Sequence, residues 1–129
     1  MKKIFSFLPM LFPLMLFAQA KEKNDDDKFE PIQLYFVMLT KGANRTQDSA
    51  TAAKIQEGHL ANIGKLAKEG KLIVAGPFMD DSNWRGLFIL KCKDAAEVDT
   101  ILKTDPAIAS GRLAYEFHPW MTAKNCLFK

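Results

Sequence analysis

Two segments of the chain carry apolar side chains at both odd and even positions. Residues 34–39 are apolar throughout, and residues 86–92 are nearly so. Because successive side chains of a strand point to opposite faces, this pattern is typical of strands that are covered on both faces. Each segment is therefore predicted to be a strand inside a layered fold.

The longest helical pattern lies between these two segments. In residues 51–69, apolar side chains such as Ile55 and Ile63 recur on one face at about 100° per residue. Ser49 or Thr51 is expected to cap the first turn, because a hydroxyl can accept a hydrogen bond from an unpaired backbone N–H there. The pattern predicts an amphipathic helix whose apolar face packs on a sheet.

A second, shorter helix is predicted over residues 95–103, with Asp94 as its cap. The sequence Asp105-Pro106 then interrupts it, since a residue that precedes proline disfavours the helical conformation. Residues 107–110 are expected to form one further turn.

Short apolar segments at residues 72–75 and 113–120 complete the pattern as strands. The resulting order is β-α-β-β-α-β, which predicts an α+β fold of the ferredoxin-like type. Two helices cover only one face of a four-stranded sheet, yet two of the strands are apolar on both faces. Because an apolar sheet face in water is an interaction surface, we expect a second copy of the chain to cover it, giving a homodimer.

The first twenty residues have the three parts of a secretory signal peptide. Lys2 and Lys3 are positive, residues 4–17 are almost entirely apolar, and Ala18-Gln19-Ala20 supplies a small-residue cleavage site. A membrane anchor is the alternative, but the apolar run is shorter than the roughly 20 residues that span a bilayer. The predicted organisation is a signal peptide at 1–20, a polar linker at 21–30, the domain at 31–124 and a C-terminal tail at 125–129.

This leader predicts export to the periplasm or the extracellular space, with no membrane attachment after cleavage. The mature chain is expected to begin at or near Lys21. Intact-mass measurement of the exported protein checks this, and a soluble exported product that keeps residues 1–20 would contradict it.

Charge and composition give no support to nucleic-acid binding or to a metal site. Removing Lys2 and Lys3 from the 18 basic side chains leaves 16 against 15 acidic ones, close to neutrality. No basic patch with interleaved aromatic residues is present, so nucleic-acid binding has no electrostatic support. Cys92 and Cys126 match no metal-ligand spacing and could either pair in an oxidising compartment or stay free. No metal and no cofactor is predicted.

His59 is the first candidate for chemistry. It lies about 40° from Ile55 around the helix, on the apolar face that points toward the sheet. Histidine is suited to proton transfer near neutral pH, and Asp105 at the helix break is its candidate partner. The alternatives are a buried neutral histidine and an aspartate that only caps the next turn. Position along the chain does not decide between them.

A second group of candidates follows the strand at residues 72–75. Phe78, Asp80, Trp84 and Arg85 fall in or beside a turn-rich loop that could rim a pocket and bind substrate. The alternative is a solvated hairpin connection.

Several short motifs together resemble the YCII-related (YciI-like) family, over about residues 34–121. They are His59-Leu60, Glu69-Gly70-Lys71-Leu72, Ala75-Gly76-Pro77-Phe78, Arg85-Gly86-Leu87-Phe88-Ile89, Asp105-Pro106 with Gly111, and His118-Pro119-Trp120-Met121. The resemblance implies a dimeric α+β barrel whose cleft holds a histidine and an aspartate as an acid–base pair, which here correspond to His59 and Asp105. Relatives are linked to dehydrochlorination and to muconolactone isomerisation. The export signal departs from the many relatives that look cytoplasmic.

Three functions follow as hypotheses. In the first, the protein is a cofactor-independent lyase or isomerase of a small organic acid, with His59 moving a proton and Arg85 or Lys71 holding the anion. In the second, it is a non-catalytic periplasmic module that binds a small molecule. A haem-handling protein or a cofactor-free monooxygenase of the same barrel type is a third. A hydrogen bond between His59 and Asp105 would favour catalysis, and a wholly apolar pocket would favour binding.

Overall fold

The structure is a computed structural model that describes residues 29–127. The predicted leader, most of the linker and the last two residues lie outside that range. The elements are β1 (Pro31–Lys41), α1 (Ser49–Lys68), β2 (Leu72–Pro77), β3 (Trp84–Leu90), α2 (Ala95–Lys103), α3 (Pro106–Ala109) and β4 (Leu113–Ala123), followed by a 3₁₀ turn at Lys124–Cys126.

The four strands form one antiparallel sheet in the order β2-β3-β1-β4. β1 lies near the centre and pairs with β4 along its whole length, from Pro31 opposite Ala123 to Lys41 opposite Leu113. This is the ferredoxin-like β-α-β-β-α-β arrangement, so the predicted α+β fold class is confirmed.

The strand ends differ from those predicted. β1 extends beyond residues 34–39 at both ends, and β3 starts at Trp84 rather than at Gly86. The turn before β3 is closed by Ser82, whose hydroxyl accepts from the Trp84 backbone N–H at 3.2 Å and donates to Asp80 at 3.0 Å. Such short-range side-chain bonding lets pairing begin two residues earlier than the apolar pattern indicates.

Carboxylates cap both long helices. The Asp48 side chain accepts from the Thr51 backbone N–H at 2.8 Å, and this hydrogen bond lowers the pKa of Asp48. The cap of α1 is therefore neither Ser49 nor Thr51, because the carboxylate placed just before the helix supplies a charged acceptor. The predicted cap of α2 is confirmed: Asp94 accepts from the Glu97 backbone N–H at 2.8 Å.

One face of the sheet and the helices enclose the main core. The side chains that form it are Tyr35, Val37, Leu39, Leu66, Leu72, Phe88, Leu90, Val98 and Leu102. A hydrogen bond from the Tyr115 hydroxyl to Asp99, 2.5 Å long, ties α2 to β4 and raises the pKa of Tyr115 to about 12. This anchorage fixes α2 on the sheet and with it the break that follows at Asp105.

The opposite face of the sheet carries no helix. Leu34 is fully buried there, and Met38 and Ile89 are nearly so, within a single chain. Trp84 and Trp120, which lie opposite Thr40 and Leu34 on this face, remain 53% and 42% exposed. The face is thus apolar but only partly covered.

Cys92 and Cys126 are both free thiols in the structure. Partial burial raises the pKa of the Cys92 thiol. Among the helices of residues 29–127, none is long and apolar enough to cross a membrane.

Candidate functional site

Asp105 owes its position to the proline that follows it. Pro106 lacks a backbone N–H and cannot continue α2, so Asp105 adopts an extended conformation (φ −76°, ψ 122°) and α3 begins at Pro106. One carboxylate oxygen, Oδ1, accepts from the Ala107 backbone N–H at 2.8 Å. Asp105 therefore caps α3, as one of the two predicted alternatives states, and its second oxygen stays available.

That second oxygen contacts His59. The distance from His59 Nδ1 to Asp105 Oδ2 is 2.7 Å, Asp105 is fully buried, and His59 is 8% exposed. Because an ionised carboxylate can only accept a hydrogen bond, this pairing requires the tautomer in which Nδ1 is protonated and donates its N–H to Oδ2. In a neutral imidazole this leaves Nε2 unprotonated, with a lone pair that can act as a base. Capping and pairing are thus combined in one aspartate.

Asn62 is a third member of this group, and it was not predicted from the sequence. It lies three residues after His59 on α1, and its Nδ2 is 3.5 Å from Asp105 Oδ2. This long contact places a second donor on the oxygen that His59 uses. Asn62 was missed because an asparagine on the polar side of a helix has no distinctive pattern.

Gly58 allows α1 to come close to α3. A Cβ atom at this position would lie 2.9 Å from Pro106 Cγ, which is closer than real Cβ contacts. Because His59 follows Gly58 and Asp105 precedes Pro106, this close packing brings the two side chains together. Gly64, in the same helix, has nothing within 4 Å of such a Cβ.

A cavity of about 420 Å³ opens between α1 and the sheet, with His59 in its wall. The imidazole stacks on Phe88, with ring centroids 6.0 Å apart and an interplanar angle of 20°. Among the described residues nothing hydrogen-bonds to Nε2, and no buried side-chain nitrogen or oxygen lacks a partner. The free nitrogen is therefore accessible, and the cavity is the space it meets.

Three arginines also line the cavity: Arg45, Arg85 and Arg112. Arg85 was predicted from the sequence, whereas Arg45 and Arg112 were not, because they lie in loops without periodicity. Of the described residues in the lining, His59 is the only one with an imidazole, carboxyl or thiol side chain.

The other predicted substrate-binding residues lie outside this lining. Asp80 bonds to Ser82 within its own turn, and Phe78 packs on Trp84 with ring centroids 6.0 Å apart. A register shift between Leu39 and Thr40 pairs Thr40 with Trp84, which places Trp84 on the sheet face without helices. The turn therefore faces away from the cavity.

Lys71, the alternative anion holder, also lies elsewhere. Its ammonium group pairs with Glu97 at 2.5 Å, a hydrogen bond that raises the pKa of Lys71 and lowers that of Glu97. Over residues 29–127, no group of three or more His, Cys, Asp or Glu side chains is arranged to hold a metal ion.

The family follows from comparison with known proteins. The model of the YCII-related domain matches residues 34–121, which is most of the chain. The chain belongs to the YCII-related family. The match spans both His59 and Asp105, and the resemblance noted from the sequence motifs is confirmed.

Two solved structures are similar to this YCII-related protein. A 5-chloro-2-hydroxyhydroquinone dehydrochlorinase from Burkholderia phenoliruptrix, in complex with 2,5-dihydroxybenzoquinone, is 23% identical, with a TM-score of 0.51 over 67% of this chain and 92% of that one. A muconolactone isomerase is 14% identical, with a TM-score of 0.56 over 67% and 86%. Both belong to the dimeric α+β barrel superfamily, and at these identities they establish the fold. No curated protein matches the sequence significantly.

Two glycines of α1 test whether the contact between Gly58 and Pro106 limits the packing of α1 on α3. Gly58→Ala should lower the free energy of unfolding by about 1–3 kcal/mol, because the new methyl group overlaps the Pro106 ring and α3 must shift. The free energy is measured by urea denaturation followed by circular dichroism.

Gly64→Ala is the matched control. It should raise the free energy of unfolding by roughly 0.5–1 kcal/mol, since alanine is the better helix former and the site is open. Equal stabilisation by both alanines would show that the contact of α1 with Pro106 does not constrain the site.

Proposed function

We propose that this protein is a cofactor-independent lyase or isomerase of a small organic acid, with His59 as general base and acid. The observation that carries the proposal is the hydrogen bond of 2.7 Å between His59 Nδ1 and the fully buried Asp105, in a residue whose other nitrogen meets a cavity. Asp105 holds the imidazole in one orientation and one tautomer, so that Nε2 is presented as the proton acceptor.

The chemistry available to a single base is limited and specific. Nε2 removes a proton from a carbon next to a carbonyl group, and the electron pair of that C–H bond moves into the carbonyl as an enolate. In an isomerase, the imidazolium returns the proton to another carbon. In a lyase, the electron pair instead forms a C=C bond, and the leaving group departs with the electron pair of the bond that joined it to the neighbouring carbon. Burial of Asp105 beside the ring stabilises the imidazolium that both routes share.

The similar structures support both routes. One is described as a dehydrochlorinase, which performs an elimination, and the other as a muconolactone isomerase. The ligand of the first is a small oxygenated ring. A cavity of about 420 Å³ is of the size that holds such molecules.

A non-catalytic binding module is the alternative. The binding module is favoured by the composition of the lining. Apart from His59, the described residues there contribute apolar side chains and arginines but no second acid–base group. The accessible Nε2 favours catalysis over it, because a purely structural histidine would use both nitrogens or seal them off.

We further propose that the working protein is an exported homodimer. The leader supports export to the periplasm or the extracellular space. The helix-free face of the sheet, with Trp84 and Trp120 exposed, supports pairing of two sheets. The fold class, shared with dimeric α+β barrel proteins, adds to this support.

Removal of the proton carrier tests the catalytic proposal. His59→Asn keeps a side chain that can donate to Asp105, so the fold should survive, whereas proton transfer should fall roughly 100- to 10,000-fold. The measurement is the exchange of carbon-bound hydrogen for deuterium, followed by proton NMR in D₂O, in a panel of small keto acids, unsaturated lactones and hydroxyquinones. Wild-type protein should label one carbon of at least one compound.

The second histidine provides the control. His118 lies on the helix-free face of β4, away from the cavity, so His118→Asn should leave the exchange rate within about twofold of wild type, provided that light scattering gives the same mass as for wild type. Exchange that survives His59→Asn would contradict the assignment of the base. Binding of panel compounds with no exchange, no isomerisation and no elimination in any of them, all of which the same spectra would show, would establish the binding module instead.

Neighbouring residues on β4 test the dimer. Trp120 lies on the helix-free face, and Met121 points to the opposite one and is 65% exposed. Light scattering should give twice the chain mass for wild type and for Met121→Glu, and the mass of one chain for Trp120→Glu, because a charge would be buried at the interface. A monomeric wild type at micromolar concentration would contradict the proposal.

A further inference from the structure

The three arginines of the cavity come together at the carboxyl end of β1. Arg85 precedes Gly86, which pairs with Leu39 of β1, and Arg112 precedes Leu113, which pairs with Lys41. Arg45 follows β1 in the loop that leads to α1. Three separate segments of the chain thus place one arginine each in the lining of the same cavity.

Backbone hydrogen bonds hold two of these segments together. The Gly42 N–H donates to the Arg112 carbonyl at 3.0 Å, and the Asn44 N–H donates to the Gly111 carbonyl at 2.9 Å. The Arg45 guanidinium donates to the same Arg112 carbonyl at 3.0 Å. The Arg112 guanidinium itself donates to Gln47 Oε1 at 3.1 Å, so the side chains of both Arg45 and Arg112 are held by contacts within this paired loop.

Glycine is required for this pairing. A Cβ atom on Gly42 would lie 2.1 Å from the Gly111 carbonyl oxygen, and Gly111 itself adopts a positive φ of 72°. No other residue type fits both positions without displacing the backbone. The loop contact that positions Arg45 and Arg112 thus depends on glycine at positions 42 and 111.

The positive charge of this end of the cavity is not balanced by nearby carboxylates. Within residues 29–127, no carboxylate pairs with Arg45 or Arg112. Arg85 is 3.7 Å from Asp81, but the Asp81 side chain is 97% exposed and its charge is screened by water. Asp105 contributes one negative charge behind His59. Three guanidinium charges against that one carboxylate leave an excess of about two positive charges.

From this excess we infer that the cavity binds a dicarboxylate with a short hydrocarbon body. Guanidinium groups bind carboxylates through paired N–H donors, and a dianion neutralises the excess. Apolar side chains, including Leu60, Ile63 and Phe88, line the remaining wall and fit a hydrocarbon chain better than a compact anion. The inference deepens the proposed function by naming its substrate class, and it rests on that function only for the role of His59.

Isothermal titration calorimetry with simple probes tests the inference. The probes are succinate, glutarate and adipate, with hexanoate as the monocarboxylate and inorganic phosphate as the compact anion. The best dicarboxylate should bind roughly 10- to 100-fold more tightly than hexanoate, the effect of one additional charge-assisted contact. Phosphate should bind more weakly than that dicarboxylate.

Single substitutions assign the effect to the paired loop. Arg45→Gln and Arg112→Gln should each remove most of the preference for the dicarboxylate, and Arg85→Gln, which removes the same charge from the same lining, serves if Arg112→Gln does not fold. Lys54→Gln removes the same charge from an exposed position of α1 and should leave the preference unchanged. Circular dichroism checks the fold of each variant.

The same titration on His59→Asn separates this inference from the catalytic proposal. His59→Asn should retain the preference for the dicarboxylate, because its arginines are intact. Preserved binding without any proton transfer in the wild type would reject the catalytic proposal alone. The inference itself is overturned if no dicarboxylate binds, if hexanoate or phosphate binds as tightly, or if both arginine variants keep the preference.

Discussion

The arrangement of the site depends on the buried carboxylate of Asp105, which requires hydrogen-bond donors for both of its oxygens. A charge that is fully removed from water is costly by several kcal/mol unless it is hydrogen-bonded, so both oxygens must find donors. Oδ1 is satisfied by the Ala107 backbone N–H and Oδ2 by His59 and Asn62. The helix break and α1 are therefore joined by the same contact that orients the imidazole. Asp105 thus both caps α3 and orients the imidazole, and the close packing that allows this depends on the small size of Gly58.

The cavity combines two unlike walls. At one side, His59 stacks on Phe88 and presents a nitrogen that can take a proton. At the carboxyl end of β1, arginines from a glycine-dependent loop contact provide positive charge. An anionic substrate held by the arginines would be oriented with respect to the base, which is the main requirement for proton transfer within a bound complex. The apolar surface between the two limits water, and electrostatic interactions strengthen as water is excluded.

Local patterns were sufficient to predict the strands, the helices and their order, since each depends on the repeat of apolar residues. The position of His59 on the inward face of α1 follows from the same repeat. Sequence patterns could not predict Asn62, Arg45 and Arg112 as site residues, because their positions depend on contacts between residues far apart in sequence, such as Arg45 with Arg112. Trp84 was expected at the pocket as a neighbour of Arg85, but an irregularity in the register between β1 and β3 turns it to the other face. Local patterns do not reveal such shifts.

The tautomer of His59 is the most direct test of whether Asp105 orients the imidazole with Nε2 free to act as a base. Nitrogen-15 NMR of the imidazole at a pH where it is neutral distinguishes a protonated Nδ1 from a protonated Nε2, and His118 in the same spectrum serves as reference. We expect the proton to reside on Nδ1 of His59, Nε2 to be unprotonated, and Asp105→Asn to abolish this preference. A proton on Nε2 in the wild type, or a tautomer that is unaffected by Asp105→Asn, would contradict this expectation.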